Sequence, residues 1–347
     1  MESTRKLCFS SENFSGVQEE IMQALIESNR HQVASYGNDP FTHAAIALLK
    51  EHFGQDIEVY FTFNGTGANN FGLSCVTEKV SSIFCTDMAH LNVDESTAPE
   101  CFIGCRIYPV NSLNGKIRID DLKTKIRRVG DIHHPQPGIV SITQPTELGT
   151  VYRLEEMKAI KAVCREHGLL LHVDGARFFN AAACLDLSLK ELCGEGGIDI
   201  LTLGGTKIGM MFGEAVLFFN PADKRAFKFN LKRSMQLASK NRFIAVQFSR
   251  LFRDGLWQRI AKYTNQLARV LEQEIRKIPS LKIAYPVESN AVFVNMPKEL
   301  HQKMQEFATF YYWNEERSEA RFIGSFDNTV EEVKQLADKI RECLEEG

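Results

Sequence analysis

The chain has 347 residues, more than a single ~150-residue domain and less than three. Hydrophobic content of 44%, charged content of 24% and a formal charge of -3 describe a globular chain with a sizeable core, without the strongly basic balance that would predict nucleic acid or an anionic membrane. No apolar run reaches the ~18 residues of a membrane span, and residues 1–6 lead into no signal-peptide core, so the chain is expected in the cytoplasm.

Residues 1–15 are polar and Ser-rich without a period, which predicts an arm. Ile21, Met22, Leu25 and Ile26 have helical spacing within 17–29, as do Ala45, Ile46, Leu48 and Leu49 within 42–53. Between them Tyr36 lies in a turn-rich stretch, placed either to pack a turn or to reach a site or a neighbouring subunit. Residues 58–63 predict a strand running into Asn64-Gly65-Thr66-Gly67-Ala68-Asn69-Asn70, followed by a helix over 71–80. Strand, glycine loop and helix start present free N–H groups and a positive dipole end to a phosphate. Gly65 and Gly67 allow close approach and Thr66 adds a hydroxyl, although a plain strand-to-helix turn has the same pattern.

Further strands are predicted over 81–85, closing towards His90, over 105–110, and over 138–143, ending in Gln144-Pro145-Thr146-Glu147. His90 is placed either to stack on a flat ring or as a solvated loop residue. Between these strands lies a basic helix over 120–129, and after them a helix over 154–167 that Gly168 ends. His133-His134, followed by Pro135 and Pro137, reads as a loop with no partners at ligand spacing, so no metal site is expected. The nine cysteines form no C-x-x-C pair; Cys75, Cys85, Cys164, Cys184 and Cys193 lie in or beside apolar segments and read as reduced core residues.

Two apolar runs then end in polar and glycine residues: 169–175 carries Asp174, and 200–205 leads to Lys207. They are separated by helix over 181–193, and a seventh strand follows over 214–219. An acid at one strand end and a lysine at the next is the minimum equipment for pyridoxal phosphate. In a covered, mostly parallel sheet, ligands sit at the C-terminal strand ends, where Gly65, His90, Gln144, Asp174 and Lys207 all fall. Beyond Pro221 the chain is basic over 224–239, largely long helix over 241–278, and then a small α+β unit. That unit has strands over 291–296, 311–314 and 320–326 and helices over 298–310 and 329–344. Arg321 opens an otherwise apolar strand, as a carboxylate fork or a paired edge arginine. The division is an arm (1–15), a large domain (16–230), and a bridging helix with a small C-terminal domain (231–347).

Tyr36-Gly37-Asn38-Asp39-Pro40, Asn64 to Asn69, Ala89-His90, His172-Val173-Asp174-Gly175-Ala176-Arg177 and Gly204-Gly205-Thr206-Lys207 occur in the order and approximate spacing of a known family. The chain resembles the L-threonine aldolases, fold-type-I pyridoxal phosphate enzymes of the β-eliminating lyase group. The likeness runs from Ser11 to the terminal helix. It implies an α/β fold of the fold-type-I pyridoxal-phosphate-dependent transferase kind, with a mostly parallel seven-stranded sheet, helices on both faces and a small C-terminal α+β domain. It implies that Lys207 carries the cofactor, Asp174 pairs with its pyridine nitrogen, His90 stacks on the ring, and Gly65, Thr66 and Gly67 hold the phosphate. Arg177 would lie near the ring hydroxyl and the substrate carboxylate, with Ser11 and Arg321 completing a carboxylate clamp. The family works as a homotetramer of dimers that share active sites. Tyr36 would close a neighbour's pocket, and Lys240 or Arg242 would reach a phosphate across the interface.

One departure concerns a second histidine that many members carry near the substrate hydroxyl; the matching stretch here places Glu147 there. The acceptor of the β-hydroxyl proton is therefore open between Glu147, His90 and a phosphate-bound water, as is the preference between threonine and allo-threonine. The implied reaction is retro-aldol cleavage of these amino acids to glycine and an aldehyde. The alternative is another pyridoxal-phosphate-dependent β-eliminating lyase.

Overall fold

Alternating short apolar strands and helices build one seven-stranded sheet in the computed structural model, which describes residues 6–219 and 221–345. Residues 1–5 of the expected arm lie outside the described residues. The strands are β1 (Ile57–Thr62), β2 (Ser81–Thr86), β3 (Arg106–Val110), β4 (Gln136–Thr143), β5 (Leu170–Gly175), β6 (Ile200–Gly204) and β7 (Glu214–Phe219), in the order β1-β7-β6-β5-β4-β2-β3. All pairs are parallel except those of β7, which runs antiparallel to both β6 and β1. Every residue of β6 is buried, which is why it reads as a largely apolar run, broken only by Thr202, rather than an alternation. Register sets Asp174 beside Thr143 and Thr202, and Glu214 beside Gly204 and Thr62, so these residues share one rim.

The helices packing on the sheet begin with α1 (Glu19–Ser28) and α2 (Pro40–Phe53). Asp39 caps α2 by accepting from the Thr42 N–H at 2.9 Å, and Pro40 takes the first helical position, where no N–H is needed. Helix α3 spans Gly65–Ser74, so the expected glycine loop is itself the first turn of the helix; Asn64 is the cap, and the helix stops well short of residue 80. After α4 (Leu154–Glu166), the single helix expected over 181–193 is two, α5 (Phe178–Leu185) and α6 (Leu189–Gly196). Asp186 breaks them with a left-handed backbone, and Ser188 with Glu191 starts α6 as a capping box. The long helix expected from 241 also breaks, into α7 (Arg242–Leu251) and α8 (Leu256–Ile275), where Asp254 and Gly255 take φ of 53° and 64°.

Helix α8 joins two cores. Ile260 and Ala261 pack with the large sheet, whereas Leu267, Leu271 and Ile275 pack with Val292, Val294 and Phe322 of the small unit. That unit is an antiparallel sheet of β8 (Lys282–Ile283), β9 (Ala291–Asn295), β10 (Tyr311–Asn314) and β11 (Glu319–Ile323), in the order β8-β9-β11-β10, backed by α9 (Val330–Glu345). The helix expected over 298–310 stops at Met304, because Ala308–Thr309 pairs in parallel with Leu7–Cys8. The arm is thus no free segment where it is described. Phe9 is buried in the small core and donates its N–H to Thr309 O at 2.8 Å. Among the described residues no helix is long and apolar enough to cross a membrane.

Candidate active site

At the rim where β1, β2, β4, β5 and β6 end and β7 begins lies a cavity of about 290 Å³. Its lining includes Gly65, Thr66, His90, Glu147, Asp174, Arg177 and Lys207. The start of α3 borders one side. Gly65 and Thr66 hold N–H groups that a helix start leaves without an intrahelical acceptor, and a Cβ on Gly65 would meet only open space. Gly67 differs. Its N–H donates to Asn64 Oδ1 at 2.8 Å, and its missing Cβ makes room for Gln236, whose amide would lie 2.4 Å from it. Gln236 Oε1 in turn accepts from the Phe63 N–H at 2.9 Å. Gly67 is not among the residues that line the cavity.

Asp174, at the end of β5, is buried; Oδ2 accepts from Asn69 Nδ2 at 2.9 Å and Oδ1 from the Ala176 N–H at 3.0 Å. Lys207 stands in the short 3-10 turn Thr206–Ile208 after β6. Glu214 holds that turn: Oε2 accepts from the Gly205 N–H at 2.7 Å and Oε1 from Thr206 Oγ1 at 2.9 Å. Gly204 is required because a Cβ there would lie 2.4 Å from the Ala176 carbonyl oxygen. Burial, then the charge of Arg177, lowers the Lys207 pKa, which favours the free amine needed to capture a carbonyl. Burial pushes the Glu214 carboxyl up to about 7.

His90 opens a short helix, His90–Val93, after β2. Its Nδ1 is 3.0 Å from Glu95 Oε1, and this hydrogen bond raises its pKa against the opposing effect of burial. The His90 backbone N–H donates to Glu147 Oε1 at 2.9 Å, and Thr143 Oγ1 donates to the same oxygen at 2.7 Å. Glu147 Oε2 is buried without a hydrogen-bond partner among the described residues. Burial raises the Glu147 carboxyl, and the charge of Asp174 adds to that.

Arg177 is gripped by Glu12, through Nε to Oε1 at 2.6 Å and Nη2 to Oε2 at 2.8 Å. Asn290 Nδ2 also donates to Glu12 Oε1 at 2.6 Å. Burial alone would raise the Glu12 carboxyl; Arg177, with help from Lys207 and Asn290, outweighs it and brings the pKa down to about 2. Arg321 lies outside the cavity wall, its guanidinium carbon 4.5 Å from the Trp313 ring centre and 4.9 Å from that of Tyr311. Its Nη2 donates to Ser10 O at 3.3 Å, and its Nε is buried without a partner among the described residues. Burial, then Arg177, lowers its pKa to about 10.

Several expected residues lie elsewhere. The Ser11 hydroxyl accepts from the Asn13 N–H at 3.3 Å and faces a separate small cavity; its neighbour Asn13 lines the site, and Glu12 meets it through Arg177. Gln144 turns into the core and exchanges hydrogen bonds with the Tyr152 backbone. Tyr36 is 49% exposed, with Lys232 Nζ 5.6 Å over its ring, and contributes nothing to this chain's own cavity. Lys240 is exposed, and Arg242 Nη1 donates to His31 O at 3.0 Å. Glu12, Asn69, Glu95 and Glu214 were not singled out from the sequence. A signal existed for Asn69, which lies inside the glycine motif. None existed for Glu214, because the rule that ligands sit at strand C-termini passes over the start of an antiparallel strand.

The model of the beta-eliminating lyase family matches residues 9–299. The chain belongs to the beta-eliminating lyase family. Two relatives, the low specificity L-threonine aldolases of Pseudomonas aeruginosa and of a Pseudomonas species, are 39% and 40% identical, over 96% of both chains and 97% of both chains respectively. The solved structure of the Leishmania major threonine aldolase superposes with a TM-score of 0.91 at 26% identity, covering 97% of this chain and 99% of that one. Beta-eliminating lyases and their fold-type-I neighbours depend on pyridoxal phosphate. The cavity fits that group: a helix start with open N–H groups for a phosphate, a buried carboxylate for a ring nitrogen, and a lysine of lowered pKa for an aldehyde.

Proposed function

We propose that this chain is a pyridoxal-phosphate-dependent carbon-carbon lyase that cleaves L-threonine, L-allo-threonine and similar β-hydroxy-α-amino acids to glycine and an aldehyde. The observation that carries the reading is the convergence of Lys207, Asp174, the open start of α3 and Arg177 on one cavity. Near-full-length identity of 39–40% to aldolases supports the same chemistry.

When bound, pyridoxal phosphate supplies a conjugated ring that takes up the electron pair of the Cα–Cβ bond. Gly65 and Thr66 would donate to its phosphate, His90 would cover one ring face, and Asp174 would keep the ring nitrogen protonated. Lys207 would anchor the group and yield its place to the substrate amine. Arg177 keeps Nη1 outside its grip on Glu12 and would take the substrate carboxylate, and Arg321, outside the cavity wall with its buried Nε unpartnered among the described residues, would complete the clamp and orient the substrate. Ser11 is left out of this clamp because its hydroxyl caps Asn13. Glu147 is our choice for the β-hydroxyl proton, ahead of His90 and a phosphate-bound water: Oε1 is committed and Oε2 is not.

The proposed division keeps an arm (1–15), a cofactor-binding body (16–230), and a bridge with a small domain (231–347), the bridge including α7, whose Ile244, Ala245 and Phe248 pack into the core of the body. The assembly would be a cytoplasmic homotetramer of dimers in which Tyr36, and Lys240 or Arg242, serve a neighbour's site. The test is to incubate the protein and pyridoxal phosphate with L-threonine and with L-allo-threonine and to measure acetaldehyde. Cofactor-dependent release is expected, and the ratio of rates sets the stereochemical class. A protein that binds the cofactor yet releases none with either amino acid sinks the aldol reading in favour of β-elimination.

A further inference from the structure

Behind the cavity, one amide ties together two groups that flank it. Asn69 Nδ2 donates one hydrogen to Glu95 Oε1 at 2.8 Å and the other to Asp174 Oδ2 at 2.9 Å. Glu95 Oε1 also meets His90 Nδ1 at 3.0 Å. Asn69 lies within α3, Glu95 between the short helices His90–Val93 and Ala98–Phe102, and Asp174 at the end of β5. These segments are remote in sequence, and the Glu95 side chain is fully buried.

The direction of each bond follows from donor chemistry. An amide nitrogen only donates, so both carboxylate oxygens facing it accept. The opposite orientation of the amide would set its carbonyl oxygen against two carboxylates; as oriented, Oδ1 is a buried atom without a partner among the described residues. With Glu95 Oε1 an acceptor, His90 Nδ1 is the donor, and the imidazole is either the Nδ1–H tautomer or the cation. A neutral imidazole in water favours the other tautomer, so Glu95 chooses for it. The backbone just after Glu95 supports a held geometry: Ser96 and Thr97 take φ of 50° and 60°, a left-handed conformation costly for a β-branched residue.

We propose that Asn69 and Glu95 are positioning residues: Glu95 holds His90 with Nδ1 as the donor and Nε2 turned from Glu95, and Asn69 locks Glu95 to Asp174 as one unit. The imidazole that would cover the cofactor ring and the carboxylate that would pair with its nitrogen are then set together. The charged groups acting on His90 are Glu95 and Asp174, which favour its cation, and Lys207, which opposes it. The cofactor half of the proposal rests on the proposed function; the His90 half does not.

The test uses the full-length protein with 13C-labelled histidine rings, the His90 signal being assigned with His90→Asn. In wild type, His90 titrates above an ordinary histidine. Glu95→Gln, nearly isosteric, moves that titration down by about one pH unit while thermal unfolding stays within a few degrees of wild type. Asn69→Leu weakens pyridoxal phosphate by roughly tenfold, read from its absorbance on titration into apoprotein. Unchanged His90 titration in Glu95→Gln overturns the proposal, and so does unchanged cofactor affinity in Asn69→Leu. A wild-type protein that binds no cofactor sinks the proposed function instead, and His90 in the apoprotein still decides the role of Glu95.

Discussion

Glu147 carries the sharpest pH prediction. Its carboxyl is raised by burial, so it stays protonated at a pH where an ordinary carboxyl is ionised. In its proposed role as acceptor of the β-hydroxyl proton it must be ionised, so kcat/KM for L-threonine is expected to rise with pH through that elevated pKa. Glu147→Gln removes this limb and lowers kcat by roughly 100-fold or more, checked by pH-rate profiles of acetaldehyde release. Lys207→Ala loses covalent cofactor attachment and turnover by roughly 1,000-fold or more, whereas full activity in that variant rules out its assigned role. Glu12 shows how the same low-dielectric site acts on stability. Its pKa falls from the usual 4.5 to about 2, so the unfolded state takes up the proton first as pH drops. The ion pair with Arg177 therefore stabilises the fold fully above about pH 4.5, and that share is lost as pH falls towards 2. Denaturant unfolding of Glu12→Gln at pH 7 shows a loss of roughly 3 kcal/mol, and the gap to wild type narrows in acid.

At the scale of elements, strand β6 and the turn after it decide where the lysine stands. Gly204 fits because β6 passes within 2.4 Å, at its would-be Cβ, of the Ala176 carbonyl oxygen. That neighbour is backbone and has no rotamer to escape into. Gly204→Ala therefore costs roughly 1–3 kcal/mol and displaces Lys207 and Asp174 together, seen as a lower melting temperature with weaker cofactor binding. The helix starts show a related economy. In α3 the Asn64 side chain takes the third N–H and leaves the first two facing the cavity. The longer helices were legible from apolar period, whereas Ala98–Phe102 and Phe227–Arg233 were not read from the sequence; the breaks at Asp186 and Asp254 were missed too, because a non-glycine residue in a left-handed conformation leaves no pattern in the apolar positions.

For the whole molecule, this chain's own cavity lacks Tyr36, which stands exposed with Lys232 over its ring. If sites are shared, an inactive Lys207→Ala chain supplies a good Tyr36 to a partner, and an inactive Tyr36→Ala chain supplies a good Lys207. Mixing the two after dissociation then restores activity, to about a quarter of the sites when pairing is random within two-fold dimers. No recovery would mean that each subunit closes its own site. The small unit serves the same rim at a distance. Its Asn290 holds Glu12, and its β11 carries Arg321, so loosening the small core loosens the arginine pair without touching the sheet.

The sequence by itself determined the sheet, its covered faces and the pole of the site, because apolar runs and 3.6-residue periods are local consequences of burial. It also determined Asp174, Lys207, His90 and the α3 start as residues of one rim, since strand direction places them there. Only the tertiary structure decided which groups stand behind them. Glu12 arrives because Leu7–Cys8 pairs with Ala308–Thr309, some 300 residues away in the chain. Glu214 arrives because β7 runs backwards. Asn69 couples Glu95 to Asp174 because three segments converge on one amide. Buried polar groups find partners by proximity in space, and no period in the chain records that.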